Sequence, residues 1–259
     1  MTVPKKVIEL IQSSGNSFHA KVARWLVDDG WHVTVSPYYL DQSLGKAREI
    51  DLIAEKLWPV KRHFGEPVSD IAVRLFIECK YVPSHSVFWF ADKDTRAAEK
   101  LVCSTSPFRM DNVFTEKHHY LSESPRVAKV FASSTSRTAE NDPFYKALNQ
   151  VLNAMVSLRG RPLAIAAVQE SRRPISGPLE FPVVVCSSFA SIYAADFYND
   201  DNPKLVSDNF QLEVQYAYVD RCQKQRDDYF LLDFVEFERL DKFIEAIDKD
   251  AQAAVNLTS

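Results

Sequence analysis

The chain has 259 residues, 46% hydrophobic and 25% charged, enough for a sizeable core in one large or two small domains. A formal net charge of −4 gives no support to strong non-specific nucleic-acid binding by bulk charge, although a local basic groove can sit beside an acidic metal site. Six glycines argue against a glycine-rich phosphate loop, no stretch approaches the roughly 20 apolar residues of a membrane span, and Cys79, Cys103, Cys186 and Cys222 form no CxxC pair of the structural-zinc kind. Free thiols, no signal peptide or lipidation motif in MTVPKKVIELIQSSG, and a cytoplasmic location are the expectations.

In chain order, residues 16–29 (NSFHAKVARWLVDD) read as a helix capped by Asn16 or Ser17 and stopped by Gly30. Phe18, Val22, Trp25 and Leu26 make its apolar stripe. WHVTVS (31–36) alternates like a strand, and PYYLDQSLGKA reads as a loop. REIDLIAEKLW (48–58) is a second strand. Ile50, Leu52 and Ala54 fall on one face, with Glu49, Asp51 and Ile53 on the other. PVKRHFGEPVSD (59–70) reads as a long connection punctuated by Gly65 and Pro67. IAVRLFIECKY (71–81) is a third strand, with Val73, Leu75, Ile77 and Cys79 facing one way and Phe76, Glu78 and Lys80 the other.

The stretch 83–140 reads as an insertion of loops and short elements, including a helix near Asp92 and a strand at KVFASSTSRT. NDPFYKALNQVLNAMVSLRG (141–160) is a helix with Asp142 as N-cap, Pro143 in its first turn and Gly160 as its stop. RPLAIAAVQE, EFPVVVCSSF, NFQLEVQYAYVD and DDYFLLDFVEF read as strands, and ERLDKFIEAIDKDAQAA as an amphipathic helix. The fold class is mixed α/β. No long linker separates the pieces, so a single domain over 1–259 is expected, with its core at 14–82 and 141–253.

Charges gather in the middle of this pattern. If the second and third strands pair, Glu49 and Asp51 meet Glu78 and Lys80 on one face, where unpaired charge is costly to bury. A divalent cation would explain the collection. Asp51 and Glu78 can each supply a carboxylate oxygen and Cys79 its backbone carbonyl, a donor set suited to Mg²⁺ or Mn²⁺, with Lys80 beside it. The same charges also suit a solvated strand face with a cross-strand ion pair.

The segment "EID" followed by "ECK", after a helix ending in GW-V, resembles the PD-(D/E)XK nuclease superfamily and its restriction-endonuclease-like fold, a mixed sheet flanked by helices. The resemblance covers residues 14–82 and extends more loosely through 141–160 and the strands beyond. It implies a Mg²⁺- or Mn²⁺-dependent nuclease acting on nucleic acid, DNA first, with restriction or anti-phage defence as a setting by analogy. It places the metal-binding aspartate on Asp51, the acid and lysine of the second motif on Glu78 and Lys80, and an accessory glutamine on Gln150. Where many members carry an early-helix glutamate that joins the metal, this chain has His19, and Glu49 is positioned to compensate. Two-strand cleavage would imply a homodimer, and target choice a protein partner or the 83–140 segment. A catalytically degenerate module for nucleic-acid binding or assembly is the alternative.

Lys46, Arg48, Lys61 and Arg62 are the candidate backbone contacts, Lys61 to His63 reading equally well as an exposed hairpin tip. Arg172 and Arg173 are equally ambiguous. His118 and His119, being adjacent, read as loop residues that do not converge on one metal. Trp58, Trp89 and Phe90 read as packing residues.

Overall fold

Helical spacing of Phe18, Val22, Trp25 and Leu26 produces the first core helix in the computed structural model, which describes residues 3–13, 15–61, 65–82, 84–105, 112–134, 138, 141–168, 173–199 and 202–258. Helix α1 (Lys5–Ser13) precedes this core helix, α2 (Asn16–Asp28), which turns Val22 and Leu26 fully inward. Its N-cap position is Gly15 and carries no side-chain cap bond, so Asn16 opens the helix instead of capping it. Gly30, at φ +84°, ends it as expected.

Strand β1 (His32–Val35) follows. The segment expected as a loop is a hairpin, β2 (Tyr38–Asp41) with β3 (Lys46–Glu49), pairing Tyr38 with Glu49. Its turn is built by Asp41, whose Oδ1 accepts from the N–H groups of Ser43 and Leu44 at 3.0 and 3.2 Å. The turn formers therefore mark four residues of the segment, and short strands flank them. The expected continuous strand at 48–58 is broken as a result. Glu49 ends the hairpin, and β4 (Leu52–Lys61) begins only after Ile50 and Asp51. Ile50 packs with Tyr39 and Phe76, while Leu52 and Ala54 pack on the opposite face of the sheet. Glu49 and Asp51 thus share no strand.

Strand β5 (Pro67–Lys80) pairs antiparallel with β4 from Leu52↔Ile77 to Lys61↔Pro67, so most of the expected connection at 59–70 is strand. Pro59 is accommodated because β1 reaches along β4 only to Glu55, leaving the outer edge beyond it without a ladder partner. The two faces of β5 alternate as expected: Val73, Leu75 and Ile77 enter one apolar cluster and Phe76 the other.

Residues 86–133 contribute β6 (Ser86–Asp92), α3 (Thr95–Thr105), α4 (Asn112–Lys117), α5 (His119–Ser122) and β7 (Arg126–Ser133). Helix α6 (Pro143–Leu158) is capped by Asp142, whose Oδ1 accepts from the N–H groups of Phe144 and Tyr145 at 2.8 and 3.3 Å. RPLAIAAVQE, expected as a strand, instead holds the short helix α7 (Ala164–Val168). None of its residues is buried, and the Ile165 N–H is taken by Glu55 Oε2 at 2.9 Å, so its apolar residues do not serve a sheet interior. β8 (Ile175–Cys186), β9 (Ile192–Asp196), β10 (Lys204–Leu205), β11 (Phe210–Val219), β12 (Gln225–Glu236) and α8 (Leu240–Thr258) complete the chain.

Ten strands form one mixed sheet in the order β1-β4-β5-β8-β12-β11-β7-β6-β9-β10. β4 runs antiparallel to both β1 and β5, and β8 parallel to β5, joined to it by a crossover that includes α6. β6 and β7 lie in this same sheet, on the far side of β11. Helices α2 and α8 bury Val22, Leu26, Phe243 and Ile247 on one face of the sheet; α6 buries Phe144, Val151 and Leu152 on the other. Arg74, 3% exposed on the α6 side of β5, ties the helix end to the sheet. Its guanidinium pairs with Glu55 at 2.8 Å and Glu180 at 3.3 Å and donates to the carbonyls of Arg161 and Pro162 at 3.2 Å. Among the described residues no helix is long and apolar enough to cross a membrane.

Candidate metal centre where two strands end

The β4–β5 ladder stops at Leu52↔Ile77, and side chains take over from backbone at that end. Asp51 Oδ2 accepts from the Cys79 N–H at 2.7 Å, and the Asp51 N–H donates to Glu78 Oε1 at 3.4 Å. These two bonds bring the carboxylates of Asp51 and Glu78 together. Lys80 follows on the Glu78 face of β5, with Nζ 2.9 Å from Glu78 Oε2. From α2, His19 turns Nδ1 towards Asp51 Oδ1 at 4.0 Å, while its Nε2 is buried with no hydrogen-bond partner among the described residues. In a strand the N–H and C=O of one residue point to the same side, so the Cys79 carbonyl is directed along the edge on which Asp51 sits.

Burial sets the electrostatics. The Glu78 side chain is fully buried, which pushes its carboxyl up. The Lys80 ammonium pulls back and the Asp51 charge pushes further, and the balance lies at about 7. Asp51 and Lys80 are 26% and 20% exposed, so the pair opens to solvent through them. Two hard carboxylate donors and a carbonyl on the same edge suit a divalent cation, while His19 stands beside Asp51 without converging on Glu78 as a third side-chain ligand.

The other expected site residues are placed less centrally. Glu49 lies on the hairpin, where its carboxylate bonds to the Tyr38 phenol and raises its pKa. Gln150, on α6, donates from Nε2 to the Glu49 backbone carbonyl at 3.4 Å, and its backbone carbonyl accepts from the Tyr39 hydroxyl at 3.2 Å. It reaches the backbone two residues from Asp51, with its amide already engaged there. Arg48 is paired with Asp41 at 3.0 Å, and Lys46 and Lys61 are exposed. Arg62, His63 and Arg172 lie outside the described residues. Arg173 grips Asp70 at 3.0 and 3.1 Å and acts as scaffold. Trp58 packs edge-on against Trp31, and Phe90 against Phe210.

His118 and His119 are not loop residues in solvent. They stack with ring centroids 5.0 Å apart, buried under α8. His119 bridges Asp250 at 2.6 Å through Nδ1 and Asp233 at 3.2 Å through Nε2. Burial alone would push His119 down, but the two carboxylates overcome it and raise it to about 10. Burial lowers His118 to about 4, so it is neutral at pH 7, and its Nδ1 accepts from the Tyr120 N–H at 3.2 Å. Its proton therefore sits on Nε2, which faces Asp250 at 3.5 Å. Ligand atoms of His118, His119 and Asp250 lie within 4.8 Å of one another, so contrary to expectation the adjacent histidines do converge, and the group they form is held together by Asp250 and Asp233. It is a buried ionic link between α5, α8 and β12. Sequence adjacency hid it, because its partners come from 114 and 131 residues away.

No family model, curated protein or solved structure matches the chain.

Proposed function

We propose that this protein is a metal-dependent nuclease that hydrolyses phosphodiester bonds in nucleic acid, with DNA as the first substrate to test. One observation carries the proposal. Two strand ends bring Asp51 and Glu78 together through reciprocal side-chain-to-backbone bonds, with Lys80 on the same carboxylate. Strands β1, β4, β5 and β8 lie side by side with α2 before them and α6 in the β5–β8 crossover, interrupted in sequence by the β2–β3 hairpin and residues 86–133, and this arrangement supports the resemblance to the PD-(D/E)XK superfamily.

In this assignment Asp51, Glu78 and the Cys79 carbonyl would hold Mg²⁺ or Mn²⁺, with His19 beside Asp51 to hydrogen-bond a water. When bound, such a cation offsets the charge growing on the phosphate and makes water a better nucleophile. Glu78, near 7, must shed its proton before it can serve. Lys80 orients the attacking water and neutralises a phosphate oxygen. Gln150 steadies the backbone beside Asp51 through Glu49. A homodimer would place two such sites on two strands, and a protein partner could supply target choice.

The test is cleavage of supercoiled, linear and single-stranded DNA, and of RNA, with Mg²⁺, Mn²⁺ or EDTA, beside a Lys80→Ala protein purified identically. Metal-dependent cutting that disappears in the variant is the expected result. Cutting that survives in the variant refutes the assigned site.

A second reading is a degenerate module that binds nucleic acid or assembles complexes without cutting. It is favoured by the two Glu78 oxygens already being hydrogen-bonded, and by His19 standing where a glutamate is common in the superfamily. A divalent-ion thermal shift that Asp51→Asn abolishes would count against it.

A further inference from the structure

We propose that the site takes an unpaired nucleic-acid strand, whose bases stack on two exposed and rigidly presented tyrosines, Tyr38 and Tyr81. This deepens, and rests on, the nuclease reading above. Each tyrosine is 68% exposed, although aromatic rings of this size normally bury much of their area. Tyr38 pairs with Glu49, two residues from Asp51, and Tyr81 follows Lys80 directly in the chain.

Tyr38 is fixed to the Asp51 side. The Ser36 N–H donates to the Asp51 carbonyl at 2.8 Å, the Ile50 N–H donates to the Pro37 carbonyl at 3.2 Å, and Tyr38 itself pairs with Glu49. Its hydroxyl is held by the Glu49 carboxylate. Tyr81 is fixed to the Lys80 side. The Ser187 N–H donates to the Lys80 carbonyl at 2.9 Å, and the Val82 N–H donates to Ser187 Oγ at 3.2 Å, so Ser187 pins the backbone on both sides of Tyr81. Two rings presented by fixed backbone, one paired with Glu49 and one adjoining Lys80 in the chain, are preorganised for stacking.

Stacking on a protein ring requires a base whose face is not already covered, which an unpaired strand offers and a continuous duplex does not. Charge points the same way. The chain carries −4 overall, and among the described residues beside the site Lys80 is bonded to Glu78 and Arg48 to Asp41, leaving Lys46 as the exposed cation of the hairpin, a weak hold on two rows of duplex phosphates. A strand held partly by stacking needs fewer phosphate contacts.

The experiment is fluorescence anisotropy in EDTA, where metal-dependent cleavage is blocked, with single-stranded DNA, single-stranded RNA and duplex DNA of one length. The proteins are wild type, Tyr38→Ala, Tyr81→Ala and the two Tyr→Phe variants, whose exposed positions leave the core untouched. Single strands should bind about tenfold or more tighter than duplex, and each alanine should weaken that binding roughly 5- to 100-fold while phenylalanine, which keeps the ring, changes it by no more than about twofold. Either sugar supports the proposal, and the tighter one identifies the strand. Equal or tighter duplex binding, alanine variants that bind like wild type, or no binding to any single strand would overturn it. Cleavage is assayed separately with Mn²⁺. Tyrosine-dependent binding without Lys80-dependent cutting would sink the nuclease reading and leave the platforms standing. Lys80-dependent cutting with indifferent tyrosines would do the reverse.

Discussion

Replacing Glu78 with glutamine should stabilise the protein above neutral pH and do little for it in acid. Glu78 ionises at 4.5 in a free chain but at about 7 in the fold, chiefly because burial disfavours its charge. The folded state thus holds its proton more tightly than the unfolded state. Stability linked to this group is fully present below 4.5 and is lost as pH rises through about 7. At about 1.4 kcal/mol per pH unit, the displacement amounts to about 3 kcal/mol. Glutamine keeps the shape without the charge, and the loss of the charge-assisted bond from Lys80 is already contained in the balance at about 7. The useful quantity is therefore the change in the Glu78→Gln effect between about pH 4 and about pH 8, expected near 3 kcal/mol in favour of the variant. Urea titrations of both proteins at the two pH values measure it. An effect of Glu78→Gln that is the same at both would refute the burial argument. The same ionisation should couple to a cation. A Mg²⁺-induced thermal shift of wild type should grow as pH rises through about 7, because protons and metal compete for Glu78.

Three further outcomes follow from the scaffold. His119→Asn leaves Asp233 and Asp250 buried without their shared cation and should cost about 3–5 kcal/mol by chemical denaturation at neutral pH. The wild-type contribution of His119 is full below 6.5 and disappears as pH rises through about 10, so a penalty that persists unchanged at higher pH would show that the charge is not its origin. Arg74→Met strands Glu55 and Glu180 and frees the carbonyls after α6; a loss of about 3–5 kcal/mol is expected, with much of it restored when both glutamates are also made apolar. Asp142→Ala removes the cap of α6 and should lower stability by about 1 kcal/mol, and a null result in urea titration would mean that solvent satisfies the helix end equally well.

Local pattern determined a good part of this molecule. The spacing of Val22 and Leu26 fixed α2, Asp142 and Pro143 fixed the start of α6, and the alternation through Val73, Leu75 and Ile77 fixed both faces of β5. Those signals act within a few residues, so they are legible in sequence. The acid, acid and lysine of the candidate site were legible for the same reason, each sitting at a defined step of a strand or one residue beyond it. What the sequence could not decide depends on partners far along the chain. Asp51 leaves the ladder because Ser36 and Pro37 take the hydrogen bonds of residues 50 and 51, which sends Glu49 into a hairpin with Tyr38. His118 and His119 become a buried ionic link only because Asp233 and Asp250 arrive from distant elements. Residues 86–92 and 126–133 become strands of the main sheet because β11 and β9 offer them edges. Ladder edges and buried counter-charges exist only once the chain has folded, and tertiary structure alone assigns them.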